Sequence, residues 1–289
     1  MVRIASVEGR AKLIVEDGSA AVDVAGASAG AFGPDPASLY DGWDEFRAWA
    51  GDALGEDGAA PFDSEPFDPA RAGPPSPAPK QVFAVALNYV DHAAESGLRT
   101  PDDPLVFAKY VSAFSGPVTE VVLPEGHVDW ECELVAVISR RAHRIDASDG
   151  WSHVAGLTVG QDISERVLQR SGPVPQFGLG KSHPGFAPSG PVLVTADEFD
   201  DPDDLALGCE VNGQTMQSAR TADMIFPVPV LIAYLSRVVT LLPGDVIFTG
   251  TPPGVGMGRN PQVFLRPGDH LRSYVEGIGE LHQRFVAGR

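Results

Sequence analysis

The stretch Asp129-Trp130-Glu131-Cys132-Glu133-Leu134-Val135-Ala136-Val137-Ile138 passes from an acidic opening into five consecutive apolar residues. A short run of that length, rich in β-branched side chains, fits a strand buried on both faces. Side chains on a strand alternate, so Glu131 and Glu133 share one face while Cys132 and Leu134 point to the other. Two carboxylates roughly 7 Å apart at the mouth of a core strand repel unless something neutralises them. A hard divalent cation such as Mg²⁺, Mn²⁺ or Ca²⁺ does so with oxygen ligands, although Glu-x-Glu also occurs on ordinary exposed strand faces.

Further short runs with strand character surround this one: Val82–Leu87, Val118–Leu123, Ala155–Val159, Val192–Val194, Ala206–Val211, Val246–Phe248 and His270–Val275. Gly/Pro turns join them, and helical patterns are few. The chain therefore reads as α+β and mainly β, without regular βαβ alternation. Residues 88–97 have helical character, and a long helix is expected over 221–239, with Pro227 and Pro229 kinking it or marking its true start. No GxGxxG follows a strand, and Gly254-Val255-Gly256-Met257-Gly258 lacks the Lys-Ser/Thr of a P-loop, which argues against a nucleotide site.

Upstream, Arg3–Val7 and Lys12–Val15 read as strands, and Trp43–Leu54 as a helix capped by Asp41. Pro61, Pro66, Pro69, Pro74, Pro75, Pro77 and Pro79 then favour stiff extended chain. A boundary is expected there, dividing a small acidic N-terminal domain with a Pro-rich linker (1–79) from a larger second domain (80–289). Each part carries a net charge of −9 within the total of −18, although the second is more than twice as long.

That charge repels phosphate backbones and anionic lipid, so neither nucleic acid nor membrane is an expected partner. An anionic small molecule can still bind, provided a local cluster of cations or a metal receives it. The most apolar stretch, Val228 to Leu242, is too short to span a bilayer and contains Arg237. The first residues turn charged at Glu8 before a signal-peptide core can form, and Cys132 and Cys209 read as reduced core thiols. A cytoplasmic location is the resulting expectation.

Asp162, just beyond the strand-like Ala155–Val159, offers a third carboxylate, unless it merely caps the following turn of helix. Arg166 and Gln169 fall three apart on one face of that turn. In Asn88-Tyr89-Val90-Asp91-His92-Ala93-Ala94-Glu95, His92 and Glu95 also stand three apart, which lets a carboxylate orient an imidazole as general base. The commoner fate of such a pair is a solvated helix face, and His127, near the Glu-x-Glu, is the reserve base. Gly180-Lys181-Ser182 presents a cation in a Gly-rich loop. Thr249-Gly250-Thr251-Pro252 offers a hydroxyl and backbone N–H groups to a carboxylate.

In this order the segments resemble the fumarylacetoacetate hydrolase family. The motifs are Asn88-Tyr89-x-x-His92-x-x-Glu95, Glu131-x-Glu133, Asp162-x-Ser164-x-Arg166-x-x-Gln169, Gly180-Lys181-Ser182, Val211-Asn212-Gly213, and Pro243-Gly244-Asp245 through Thr249-Gly250-Thr251-Pro252, within Lys80 to Phe285. The resemblance implies a β-roll catalytic domain behind a smaller N-terminal one, and a homodimer. It implies a divalent metal, Mg²⁺ first, with Mn²⁺ or Ca²⁺ as alternatives, held by Glu131, Glu133 and Asp162. It further implies His92 and Glu95 as a water-activating dyad, Lys181 beside them, and Arg166, Gln169 and Thr251 on the oxo-acid end of a substrate. The implied reaction is metal-dependent hydrolysis of a C–C bond in a β-diketo acid such as an acylpyruvate, or else decarboxylation or isomerisation of a related 2-oxo acid. Four segments depart from the family pattern: Gln161 replaces Asn, Glu165-Arg166-Val167 replaces Ala-Arg-Asp, His183-Pro184 follows Lys181-Ser182 in place of Phe-Asp, and Lys109-Tyr110 replaces Lys-Pro.

Overall fold

A computed structural model describes residues 2–15, 18–54, 62–95 and 97–288. Pro61, the first proline of the linker run, lies outside the described residues. The core strand is Cys132–Ile138, buried along its whole length. It pairs antiparallel with Val154–Gln161 on one side and Val246–Phe248 on the other. The sheet then extends through Val82–Ala86, parallel to Val246–Phe248, to Leu105–Ala108. In the other direction it passes through Ala187–Val194 to Arg3–Val7, Arg10–Val15, Ala20–Asp23 and the edge strand Ser64–Pro66. A second sheet runs Gln214–Arg220, Ala206–Val211, His270–Val275, Gly279–Ala287 and Val118–Leu123. The fold is thus α+β and mainly β, as expected.

The N-terminal strands are continuous with this sheet: Ile4 stands opposite Leu193. Helix Trp43–Leu54 lays Trp43, Phe46, Ala50 and Leu54 on the core at helical spacing. Phe32 meets Phe46 edge to face, and Tyr40 stacks on Trp43. Asp41 is not the cap of that helix, because a 3₁₀ turn over Tyr40–Gly42 runs directly into it. In the proline-rich chain, Pro66 ends an edge strand and Pro69 opens a 3₁₀ turn, positions where a missing N–H costs least. Tyr40 donates to the Pro75 carbonyl at 3.0 Å, and Ser76 to that of Gly244 at 2.7 Å.

The helix expected over 221–239 is shorter. It spans Val228–Ser236, with Pro227 as its N-cap and Pro229 in its first turn. Residues Thr221–Asp223 form a separate 3₁₀ turn. The prolines mark the start of the helix rather than a kink, since they lack the N–H groups that an earlier start would require. Strand Gln214–Arg220 and the long last strand Gly279–Ala287 were not anticipated. Their polar, weakly alternating sequences gave no clear period. Among the described residues no helix is long and apolar enough to cross a membrane.

Candidate metal centre and adjoining cavity

Strand register builds the acidic cluster. Cys132 pairs with Gln161, so Asp162 arrives opposite Glu131, and its N–H donates to the Glu131 carbonyl at 2.9 Å. Oxygen atoms of Glu131, Glu133 and Asp162 thus lie within 4.8 Å of one another, all three residues being buried. On the neighbouring strand, Val135 stands opposite Phe248. The chain beyond Phe248 therefore returns along the same carboxylates. The Gly250 N–H donates to Glu133 Oε2 at 2.8 Å, and Thr251 Oγ1 donates to the Cys132 carbonyl at 2.9 Å.

Three buried cations face this cluster. Lys181 Nζ donates to Glu131 Oε2 at 2.7 Å and to Asp162 Oδ2 at 2.6 Å. Lys109 Nζ meets Asp162 Oδ1 at 2.5 Å and donates to the carbonyls of Lys181 and Phe186. Arg166 Nη1 lies 2.7 Å from Glu131 Oε1, while Nε donates to Asp129 Oδ2 at 2.9 Å. Burial pushes the Glu131 carboxyl up, but Lys181 and Arg166 outweigh it and hold the group down to about 2. Glu133 is the opposite case. Among the described residues no ion pair reaches it, and burial, with Asp162 and Glu131 beside it, drives its carboxyl well above the usual range. Burial lowers Lys109, whereas Asp162 and Glu131 overcome burial and raise Lys181.

A buried carboxylate with like charges for neighbours and no cation of its own is what a divalent ion would compensate. Three hard oxygen donors so close together fit Mg²⁺, Mn²⁺ or Ca²⁺ better than a soft metal. Cys132 is no competing ligand. It points to the opposite face, and burial lifts its thiol to about 12. Cys132 and Cys209 are both free and buried.

The remaining expected residues converge on the same place. Asn88 donates to the Thr249 and Phe226 carbonyls, which fixes the start of helix Val90–Glu95 against the strand ends. His92 Nδ1 lies 2.8 Å from the Glu95 carboxylate, which also accepts from the Gly254 N–H. The carboxylate accepts, so Nδ1 carries the proton and Nε2 is the basic nitrogen. Arg166 donates to Gln169 Oε1 at 3.0 Å, confirming the shared helix face. A cavity of about 260 Å³ is lined by His92, Glu131, Arg166, Gln169, Lys181 and Thr251, with Val85, Phe107, Phe177 and Met257 on its apolar side.

Asp162 caps no helix; Glu165 does, accepting from the Val167 and Leu168 N–H groups. The Thr251 hydroxyl is already engaged, accepting from Gln217 at 2.8 Å. His127 is exposed, stacked on Phe264 and outside the cavity lining, so it is no reserve base. Gln161 accepts from the Glu131 N–H and donates to Ser273, holding the Glu-x-Glu strand. His183 packs on Phe186 away from the cavity. Lys109 is the neighbour of the cluster that spacing did not reveal. Apart from the family's lysine at that position, its one signal is a lysine directly after an apolar strand, where exposure is the ordinary expectation. Gly180 permits the close packing, since a Cβ there would lie 2.6 Å from the Gln169 nitrogen.

Buried carboxylates, matched cations and an oriented histidine around a small, partly open cavity are what a site for chemistry on small molecules requires. Residues 81–286 match the fumarylacetoacetate (FAA) hydrolase C-terminal family, and the chain belongs to that family. It is 45% identical over 210 residues to human mitochondrial oxaloacetate tautomerase FAHD2A, a match spanning 72% of this chain and 67% of that protein. The crystal structure of a provisionally assigned HpcE protein from Mycobacterium smegmatis is similar with a TM-score of 0.91 and 56% identity, covering 99% of this chain and 100% of the other. Maleylpyruvate hydrolase from Sphingobium sp. SYK-6, solved with manganese(II) and pyruvate, is similar with a TM-score of 0.80 and 28% identity, over 99% and 100% of the two chains.

Proposed function

We propose that this chain is a divalent-metal-dependent hydrolase that cleaves a C–C bond in a β-diketo acid, an acylpyruvate or a fumarylacetoacetate-like compound, with Mg²⁺ as the ion. The observation that carries the reading is the His92–Glu95 contact at 2.8 Å on the wall of a cavity that also holds Glu131, Arg166 and Lys181. Held by Glu131, Glu133 and Asp162, the ion supplies Lewis-acid polarisation of the substrate's oxygens. Arg166, Gln169 and Lys181 bind the oxo-acid end, and Thr251 borders it. His92 Nε2 takes a proton from a water as that water's oxygen bonds to the distal carbonyl carbon. Glu95 stabilises the resulting imidazolium and keeps its orientation. The C–C bond breaks, its electron pair goes to the oxo-acid fragment, and His92 returns the proton to that carbon. The Lys181 ammonium offsets the negative charge that develops there.

A second reading is keto–enol tautomerisation, decarboxylation or double-bond isomerisation of a related 2-oxo acid. The likeness to an oxaloacetate tautomerase favours it, and the same base would move a proton between carbon and solvent without an attacking water. The experiment is to incubate the Mg²⁺-loaded protein with acylpyruvates, oxaloacetate and unsaturated oxo-diacids and to identify products by mass. Two acids from an acylpyruvate support hydrolysis. Enol–keto interconversion or CO₂ release alone supports the second reading. We also propose a homodimer assembled by the catalytic part, residues 80–289, with residues 1–79 as the smaller N-terminal unit. Light scattering that gives the mass of one chain would overturn the dimer.

A further inference from the structure

The glycine-rich run Gly254-Val255-Gly256-Met257-Gly258 packs against two carboxylates, Glu95 and Asp129, each of which orients a side chain of the cavity. The Gly254 N–H donates to Glu95 between its two oxygens, 3.1 Å from Oε1 and 3.0 Å from Oε2. Oε1 is also the atom that meets His92 Nδ1 at 2.8 Å. The run is fixed in turn to Asp129, through the N–H groups of Gly256 at 2.7 Å and Met257 at 3.0 Å. The Gly254 carbonyl accepts from the Trp130 indole and from Arg259 Nη2, each at 3.2 Å. Arg259 also donates to the Met216 carbonyl at 2.8 Å and lies over the buried Trp130 ring. Two glycines allow this fit. Gly254 has φ +108°, and a Cβ there would run into the Met216 carbonyl. A Cβ on Gly258 would lie 2.8 Å from Glu95 Oε2.

The geometry points to Gly258 and Arg259 as positioning residues that act on His92 through Glu95. Neither lines the cavity. Helix Val90–Glu95 has six residues, too few to be rigid by itself, and Glu95 is its last. The Gly254 N–H, held by Arg259 and Trp130, stops the carboxylate from rotating away from Nδ1. The bare Cα of Gly258 leaves room for Oε2. The carboxylate then keeps the proton on Nδ1 and the lone pair on Nε2, the tautomer that a base at that nitrogen needs. The inference rests on the proposed role of the His92–Glu95 pair and assigns the residues that set its geometry.

The test is ¹⁵N nuclear magnetic resonance of the full chain, labelled on its histidines, in Mg²⁺ and at a pH where the imidazole is neutral. His92→Gln identifies the signals of His92. The two ring nitrogens report which of them carries the proton, and the readout needs no turnover. The wild type should show His92 protonated on Nδ1. Gly258→Ala should displace the Glu95 carboxylate and move His92 toward the Nε2-protonated tautomer, by most of the change that Glu95→Ala produces. Arg259→Gln should move it the same way by less, and Arg259→Lys, which still donates to the Gly254 carbonyl, should recover part of that change. On a substrate the wild type turns over, Gly258→Ala should lower kcat roughly tenfold or more with KM within about twofold, the split expected of a misoriented base. A wild-type tautomer in folded Gly258→Ala would overturn the proposal. Should that variant not fold, Arg259→Gln decides alone, and wild-type signals there would overturn it. Shifted tautomers in a protein that turns over none of the oxo acids would support the positioning and sink the proposed reaction.

Discussion

The carboxylate of Asp129 lies 2.7 Å from the guanidinium of Arg166, and both side chains are buried. Asp129 also accepts from the N–H groups of Gly256 and Met257, so one carboxylate ties the arginine to the glycine-rich loop that walls the cavity. The approach is close enough that a Cβ on Gly256 would lie 2.7 Å from Asp129 Oδ1. Asp129→Asn should therefore cost about 1.5–3 kcal/mol, the worth of a buried charged hydrogen bond, since Arg166 keeps Glu131 as a partner. Urea denaturation would measure it, and a loss below about 1 kcal/mol would mean that the loop and arginine are held by other contacts.

Glu133 gives a pH signature. Burial, Asp162 and Glu131 raise its carboxyl in the folded, metal-free protein above the ordinary value of 4.5. Between that value and the raised one, the folded state binds more protons than the unfolded state, so stability falls as pH rises. Glu133→Gln removes the titration and can still accept from Gly250. In chelator, the variant should be more stable than the wild type at pH 8, with the gap closing as pH falls toward 4.5. Differential scanning calorimetry across that range is the measurement, and a pH-independent gap would contradict it.

Asp162 serves both the expected metal and two ammonium groups. Asp162→Asn should reduce Mn²⁺ affinity by more than roughly a hundredfold, beyond the loss typical of an outer contact. It should also destabilise the metal-free protein, because Lys109 and Lys181 each lose a charged partner. Electron paramagnetic resonance of free Mn²⁺ reads the first effect and thermal unfolding the second. Undiminished Mn²⁺ binding would remove Asp162 from the site.

Much of this site was legible because its residues carry local signals. Glu131 and Glu133 announce themselves by a two-residue period entering an apolar strand, and His92 with Glu95 by helical spacing. What the sequence could not display was the register pairing Cys132 with Gln161, which alone brings Asp162 to Glu131. Lys109 shows the same limit from the other side. Its burial follows from the Asp162 carboxylate and two carbonyls brought in from residues 181 and 186. The helix is confined to Val228–Ser236 although apolar spacing continues on both sides of it, because backbone donors, which Pro227 and Pro229 lack, decide where it starts. The stacking of His270 on His282 across two strands is likewise invisible, since eleven intervening residues hide the pairing.

The N-terminal strands complete a sheet as well as preceding it. Ile4 and Arg3 pair with Leu193 and Val194, so a chain beginning at Lys80 would bare the Ala187–Val194 edge and the apolar surface under helix Trp43–Leu54. Such an edge recruits other chains. The truncated protein should aggregate at concentrations where the full chain stays monodisperse by size-exclusion chromatography. A monodisperse fragment with unchanged circular dichroism would show that residues 1–79 are dispensable.

In the proposed hydrolysis, His92 is the base on which the attacking water depends. A positioned histidine base accelerates such steps by roughly 10²–10⁴-fold. With Mg²⁺ saturating and Mn²⁺ binding shown intact, His92→Ala should lower kcat for acylpyruvate cleavage by that factor. Glu95→Gln should lower it less, since Glu95 orients the base without taking the proton. The decisive measurement is single-turnover acylpyruvate cleavage by metal-loaded His92→Ala. A rate at least a hundredfold below wild type is the predicted result, and a wild-type rate would contradict the dyad mechanism outright.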